Sequence, residues 1–126
     1  MNEAPIRLLI VDDNAQTRDN IRKLLQVDAG ILVVGGAGTG VEAVKIYEEL
    51  RPDVVTMDTH MPDMDGVTAT RAIYSSHKDA KVLMLTVHEN PEYMRLAFEA
   101  GAKDYIIVPP APDHLIAAIQ RVASAP

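Results

Sequence analysis

The sequence predicts an α/β fold: a doubly wound, five-stranded parallel sheet with helices on both faces. Three observations predict it. Five short β-type runs are almost wholly apolar, as strands covered on both faces must be. A helical pattern follows each run. The connections are short, as in sequential strand–helix units. The chain has 126 residues, the size of one ordinary domain, so 1–126 is read as a single domain with about 6–123 structured.

The first strand is Ile6 to Val11, the second Ile31 to Val34, the third Asp53 to Met57, the fourth Lys81 to Thr86 and the fifth Tyr105 to Val108. Between them, Ala15 to Val27 places Ile21, Leu24 and Leu25 on one helical face. Thr39 to Leu50 carries Val41, Val44 and Ile46, with Thr39 and Glu42 at capping-box spacing and Pro52 as the stop. Asp65 to Tyr74 forms the third helix. Asn90 caps a fourth that starts at Pro91 and ends at Ala100, before Gly101. Pro112 to Ala123 is the last.

Hydrophobic residues make up 48% of the chain, enough for a core and against disorder. The net charge of −6 repels nucleic acid, so none is expected as a direct partner. The absence of cysteine excludes disulfides, thiolate metal sites and thiol nucleophiles. No apolar run approaches a membrane span, and Met1 to Arg7 lacks a signal peptide's apolar stretch. The expected location is the cytoplasm, with no membrane partner.

In such a sheet, ligands bind at the carboxyl ends of the strands. Asp12 and Asp13 follow the first strand, Asp58 ends the third, and Thr86 ends the fourth. Taken singly, an acid pair is an ordinary polar turn, and a lone Asp or Thr an ordinary cap. Together they bring three carboxylates and a hydroxyl to one edge. Like charges so close repel unless a cation sits among them. Oxygen-only ligands select a hard ion such as Mg²⁺, which keeps positions open for phosphate oxygens. Phosphoryl chemistry is therefore indicated.

The stretches "LLIVDDNAQTRDNIRKLL", "PDVVTMDTHMPDMDG", "VLMLTVHEN" and "GAKDYIIVPPAPDHL" resemble the receiver family of two-component response regulators, over about Ile6 to Val122. The resemblance implies the (βα)5 flavodoxin-like receiver fold. It implies Asp58 as the phosphoacceptor, charged by a histidine kinase, a phosphotransfer protein or a small phosphodonor. It implies Mg²⁺ on Asp13, Asp58 and the backbone carbonyl of His60, with Asp12 acting through water. Thr86 and Tyr105 would be the switch residues, and a signalling module, not an enzyme, is expected. A homodimer through the fourth helix, fifth strand and fifth helix is a further expected partner, with Arg95 and Arg121 as candidates for that surface. The segment "VVGGAGTGVEAV" resembles receivers joined to helix-turn-helix domains, and "DNAQTRDNIRKLLQ" those joined to pilus-assembly ATPases. Neither output is visible in these residues.

One position departs from the family. Val108 stands where its lysine precedes the proline, and valine supplies neither charge nor donor. Lys103 is five residues earlier, at about 3.3 Å per residue, and so belongs to the wrong end of the strand. His88 and His60 sit at the rim as candidate substitutes, although exposed loop histidines are the plainer reading. The resemblance also implies a cis Val108–Pro109 peptide. Val108 keeps open a second reading, a pseudo-receiver that binds partners or dimerises without phosphorylation. A third, a Mg²⁺-dependent phosphatase or phosphotransferase, fits poorly because it needs an acid where His60 stands. "GGAGTG" follows the second strand and not the first, so it reads as a flexible loop and not a dinucleotide fingerprint. Arg18, Arg22, Lys23 and Glu48 read as solvated helix faces.

Overall fold

The computed structural model describes residues 4–87 and 90–126. Five strands, β1 (Ile6–Val11), β2 (Ile31–Ala37), β3 (Val54–Asp58), β4 (Val82–Thr86) and β5 (Asp104–Ile107), alternate with five helices. The helices are α1 (Ala15–Leu25), α2 (Gly40–Leu50), α3 (Gly66–Ser76), α4 (Pro91–Ala100) and α5 (Pro112–Ala123). The sheet is parallel throughout, in the order β2-β1-β3-β4-β5.

Strand alternation divides the core into two layers. Leu9, Val11, Val55, Met57 and Met84 face α2, α3 and α4, where they meet Tyr47, Ile73 and Ala97. Leu8, Ile10, Val54, Leu83 and Leu85 face α1 and α5, where they meet Ile21, Leu115 and Ile119. Leu8, Leu9 and Ile10 are three successive residues with no solvent exposure, which requires a strand covered on both sides. Each such side chain contributes about 1.5–3 kcal/mol by leaving water.

Caps fix the helix starts. Asn14 accepts from the Thr17 amide at 2.9 Å, Thr39 from Glu42 at 3.1 Å, Asp65 from Thr68 at 2.8 Å and Asn90 from Glu92 at 3.0 Å. Glu42 turns back to the Gly38 amide at 2.7 Å, completing the expected capping box one residue further out. Gly101 ends α4 at φ +117°, a left-handed conformation that suits only glycine well.

Several elements depart from the expected bounds by a residue or more, and three of these departures have a physical reason. Helix α1 stops at Leu25, and Val27 is 80% exposed, so its apolarity marked no core position. Strand β2 runs on through Gly35 and Gly36, which pair with Leu9 and Ile10 after an irregularity at Leu8/Leu9. The glycines expected as a flexible loop are thus ladder residues; β1 supplies pairing that their own propensity lacks. Asp53 lies outside β3, its carboxylate accepting from the Arg7 amide at 2.8 Å.

Candidate functional site

The sheet reverses its direction of growth between β1 and β3. A crevice opens outside the carboxyl ends of strands at such a point. Asp12 and Asp13 leave β1 there, and Asp58 is the last residue of β3. One carboxylate oxygen from each lies within 4.8 Å of the other two. The predicted trio is therefore assembled.

Local structure holds Asp12 and Asp58 in place. The Asp12 amide donates to Ala37 at 3.0 Å, which continues the β1–β2 ladder. Its carboxylate accepts from the Asn14 amide at 2.9 Å, a turn that leads into α1. Asp58 is placed by β3, and the close approach of Gly66 completes its support. A Cβ at Gly66 would lie 2.2 Å from the Asp58 carbonyl oxygen, so no larger residue fits there. The Gly66 amide donates to Thr59 at 3.0 Å, tying the start of α3 to the end of β3.

The electrostatics follow from this crowding. Burial, then the charge of Asp12, pushes the Asp58 carboxyl from its ordinary 3.8 up to about 6; Asp13 adds to this and the His60 and Thr59 amides oppose it. Burial also raises Asp12, with the Asn14 amide opposing. Among the described residues this is the carboxylate cluster able to hold a metal ion. Its all-oxygen donors, held together against repulsion and partly desolvated, suit a hard divalent cation such as Mg²⁺.

Thr86 and Tyr105 lie on the other side of the sheet. Asp58 is in register with Leu85 and faces α1 and α5, whereas Tyr105 is in register with Met84 and packs with the opposite layer. Thr86, buried at the end of β4, lines a small cavity of about 190 Å³ with His60, Val87, Asn90 and Tyr93. Tyr105 meets Phe98 edge-on, ring centres 6.2 Å apart. It is therefore not brought to the acidic group. His60 is exposed, its ring 2.9 Å from the Thr59 hydroxyl, and its amide is 3.5 Å from Asp58. His88 lies outside the described residues.

Val108 occupies the lysine position as a half-buried residue against the α1/α5 layer. Its amide donates to Thr86 at 2.8 Å, and Val108–Pro109 is cis, as expected. Beside it lies a cleft of about 440 Å³ whose walls include Leu24, Leu85, Val108 and Leu115, with Asp12 and Asp58 at one edge. Lys103 donates its amide to Val82, at the far end of β4 from Thr86.

Several contacts were not foreseen. The Tyr93 hydroxyl donates to the Thr59 carbonyl at 3.3 Å; burial, then Asp65, pushes it up to about 12. Asp63 accepts from the Gly40 and Val41 amides, each at 2.9 Å, and so ties the loop after β3 to α2. Arg18 is no solvated bystander, since its guanidinium donates to the Asp12 carbonyl. Glu48 stays on an exposed helix face, as expected, and there pairs with His77 at 2.6 Å. Arg95 is engaged within α4 by Glu92 and Glu99, and Arg121 by Asp104 at 2.7 Å. The one available signal was spacing: Tyr93 lies three residues past the Asn90 cap, which puts it in the first turn beside the site.

Fold and site together define an α/β domain with an acidic pocket at the sheet's switch point. The family model of the response regulator receiver domain matches residues 8–120, and the chain belongs to that family. It is 43% identical over 120 residues to the response regulator UvrY of Escherichia coli K12, covering 94% of this chain and 55% of UvrY. It is 38% identical over 117 residues to the chemotaxis protein CheY of Thermotoga maritima, covering 93% and 97%. A chain of the CheX-CheY-BeF3-Mg+2 complex from Borrelia burgdorferi superposes with a TM-score of 0.89 at 28% identity, covering 97% of this chain and 92% of that one. The chain spans about half the length of such relatives as UvrY and the transcriptional regulatory protein DegU of Brevibacillus brevis. No helix among the described residues is long and apolar enough to cross a membrane.

Proposed function

We propose that this receiver domain accepts a phosphoryl group on Asp58 from a histidine kinase or phosphotransfer protein, with Mg²⁺, and so switches a protein-interaction or output surface. The observation that carries the reading is the convergence of Asp12, Asp13 and Asp58 within 4.8 Å at the switch point. Asp13, Asp58 and the His60 carbonyl would hold the ion, with Asp12 acting through water. Bound there, Mg²⁺ supplies positive charge against the phosphoryl oxygens. An Asp58 carboxylate oxygen attacks phosphorus in line. The new O–P bond makes an acyl phosphate, and the P–N bond to the donor imidazole breaks. Its electron pair goes to that nitrogen, which takes up a proton. Positioning and electrostatics carry the step. The domain acts as a switch and not as a turnover catalyst.

Thr86 would hydrogen-bond a phosphoryl oxygen by shifting toward the site, and Tyr105 would turn inward as it moves. The surface so altered is that of α4, β5 and α5, where a homodimer or an output partner would dock. The Mg²⁺ and BeF3 named for the CheX-CheY complex support the metal and the phosphoryl chemistry by analogy. Acetyl phosphate treatment with Mg²⁺, followed by intact mass, tests the reading. One added phosphoryl group, lost in Asp58→Ala, is expected; no addition, or addition that persists in the variant, refutes it.

Val108 favours a second reading, a pseudo-receiver that docks partners unphosphorylated. Amide NMR with Mg²⁺ and beryllofluoride separates the two. Shifts reaching Thr86 and Tyr105 support the switch, and shifts confined to the acidic residues support the pseudo-receiver.

A further inference from the structure

We propose that the cleft beside Val108 is a binding site for a small organic cation, an aliphatic ammonium whose apolar body lies on α1 and α5 and whose head meets Asp12 and Asp58. This goes beyond the phosphoacceptor reading and does not depend on it.

Three features support it. The first is shape. The cleft holds about 440 Å³, within the size range of small-molecule sites and larger than one lysine side chain would fill. The second is lining. Leu24 comes from α1, Leu85 from β4, Val87 from just after it, Val108 from just after β5 and Leu115 from α5. Val87 is 56% exposed at the mouth, so apolar surface there is left to water. An aliphatic chain gains by covering it.

The third is charge. The polar edge of the cleft carries Asp12 and Asp58, with Thr17 and Asn20 along α1. Among the described residues, the charged side chains that act most on Asp58 are Asp12 and Asp13, both acidic. Arg18 acts on Asp12, but its guanidinium is tied to the Asp12 carbonyl and does not line the cleft. The edge gathers three acidic groups, one more than the charge of a divalent ion offsets, and a phosphoryl group adds further negative charge. A monovalent cation therefore complements the site with Mg²⁺ bound or without it. An apolar wall running up to an acidic edge matches an ammonium on a hydrocarbon stem better than either an inorganic ion or a neutral lipid. A partner's apolar segment would match the wall alone.

Methyl and amide NMR titration of the whole protein in Mg²⁺ buffer, at constant ionic strength, tests this with hexylammonium against hexanol. The expected result is saturable shifts at Leu24, Leu85, Val108 and Leu115, with hexylammonium about tenfold tighter than hexanol, as one charge-assisted contact in a partly dry site gives. Asp58→Asn, which keeps the shape, should reduce that preference several-fold. Val108→Lys, which brings its own ammonium, should remove it. Equal binding of hexanol would overturn the proposal and leave an apolar docking surface for a protein segment. Shifts confined to the Asp12 and Asp13 amides would overturn it too, since they mean surface ion pairing alone. No phosphodonor is present, so a protein that binds hexylammonium but takes no phosphoryl group sinks only the phosphoacceptor reading, and the converse sinks only this one.

Discussion

Replacing Asp58 by asparagine should stabilise the metal-free protein at neutral pH, although it removes the residue on which the proposed function rests. Burial and the neighbouring Asp12 hold the Asp58 carboxyl at about 6 against an ordinary 3.8. A raised carboxyl binds its proton more readily folded than unfolded. The stability it confers is complete below about pH 4, is lost as pH rises through about 6, and stays lost above. At pH 8 the fold carries an ionised carboxylate that it disfavours. At about 1.4 kcal/mol per tenfold change in proton affinity, the ceiling is about 3 kcal/mol. Asp58 is partly open to solvent, which screens it, so about 1–2 kcal/mol is the expected effect.

Urea unfolding of wild type and Asp58→Asn at pH 5 and pH 8 checks this. The variant should be more stable at pH 8 by that amount with an unchanged m-value, and the gap should narrow at pH 5. Some pH dependence should survive in the variant, because Asp12 is raised by burial as well and the pair titrates together. Millimolar Mg²⁺ should stabilise wild type more than the variant if, as proposed, the folded cluster holds it. A variant equal to or weaker than wild type at pH 8, at the same m-value, would refute the claim that these carboxylates oppose the apo fold.

Other predictions concern the frame. Gly66→Ala should lower stability by about 1–3 kcal/mol and weaken Mg²⁺ binding, because its Cβ would fall 2.2 Å from the Asp58 carbonyl; a thermal melt and a Mg²⁺ titration read both. Asn14→Ala should lose about 1 kcal/mol in urea unfolding, since it removes the acceptor for the Thr17 amide at the start of α1. Ile119→Ala, at a fully buried site of the α1/α5 layer, should lose about 2–5 kcal/mol by the same assay and leave the acidic cluster's metal affinity nearly unchanged.

The sequence disclosed most where one residue's chemistry decides the outcome. A short apolar run such as Leu8-Leu9-Ile10-Val11, bounded by polar residues and ending in β-formers, suits a strand covered on both faces, and Asn14, Thr39, Asp65 and Asn90 announced their helices by capping chemistry. Asp12, Asp13 and Asp58 were legible as a site because strand order carries acids at the ends of two strands to one edge. It disclosed least where a distant partner decides. Gly35 and Gly36 enter β2 because β1 offers pairing, which local propensity cannot register. Asp63, Arg18 and Glu48 look like unpaired surface charges until the fold sets a helix terminus, a carbonyl or a histidine before them. Tyr93 reaches Thr59 across 34 residues of chain, a separation that no local periodicity reports.

Val108 shows why a site's geometry and its charge can part company. What positions residue 108 is its backbone, through the amide bond to Thr86 and the pairing of Ile107 with Thr86. What positions the carboxylates is β1, β3, the Asn14 turn and the space kept by Gly66. None of these contacts uses the side chain at 108. A valine there can pack on the α1/α5 layer with the acidic cluster still assembled. The change therefore falls on electrostatics: a fixed cation is replaced by apolar wall, and the compensating charge must come from something bound. Under the proposed function that charge is the metal's, joined by the organic cation inferred for the cleft, and it sets the field in which Asp58 would meet a phosphodonor.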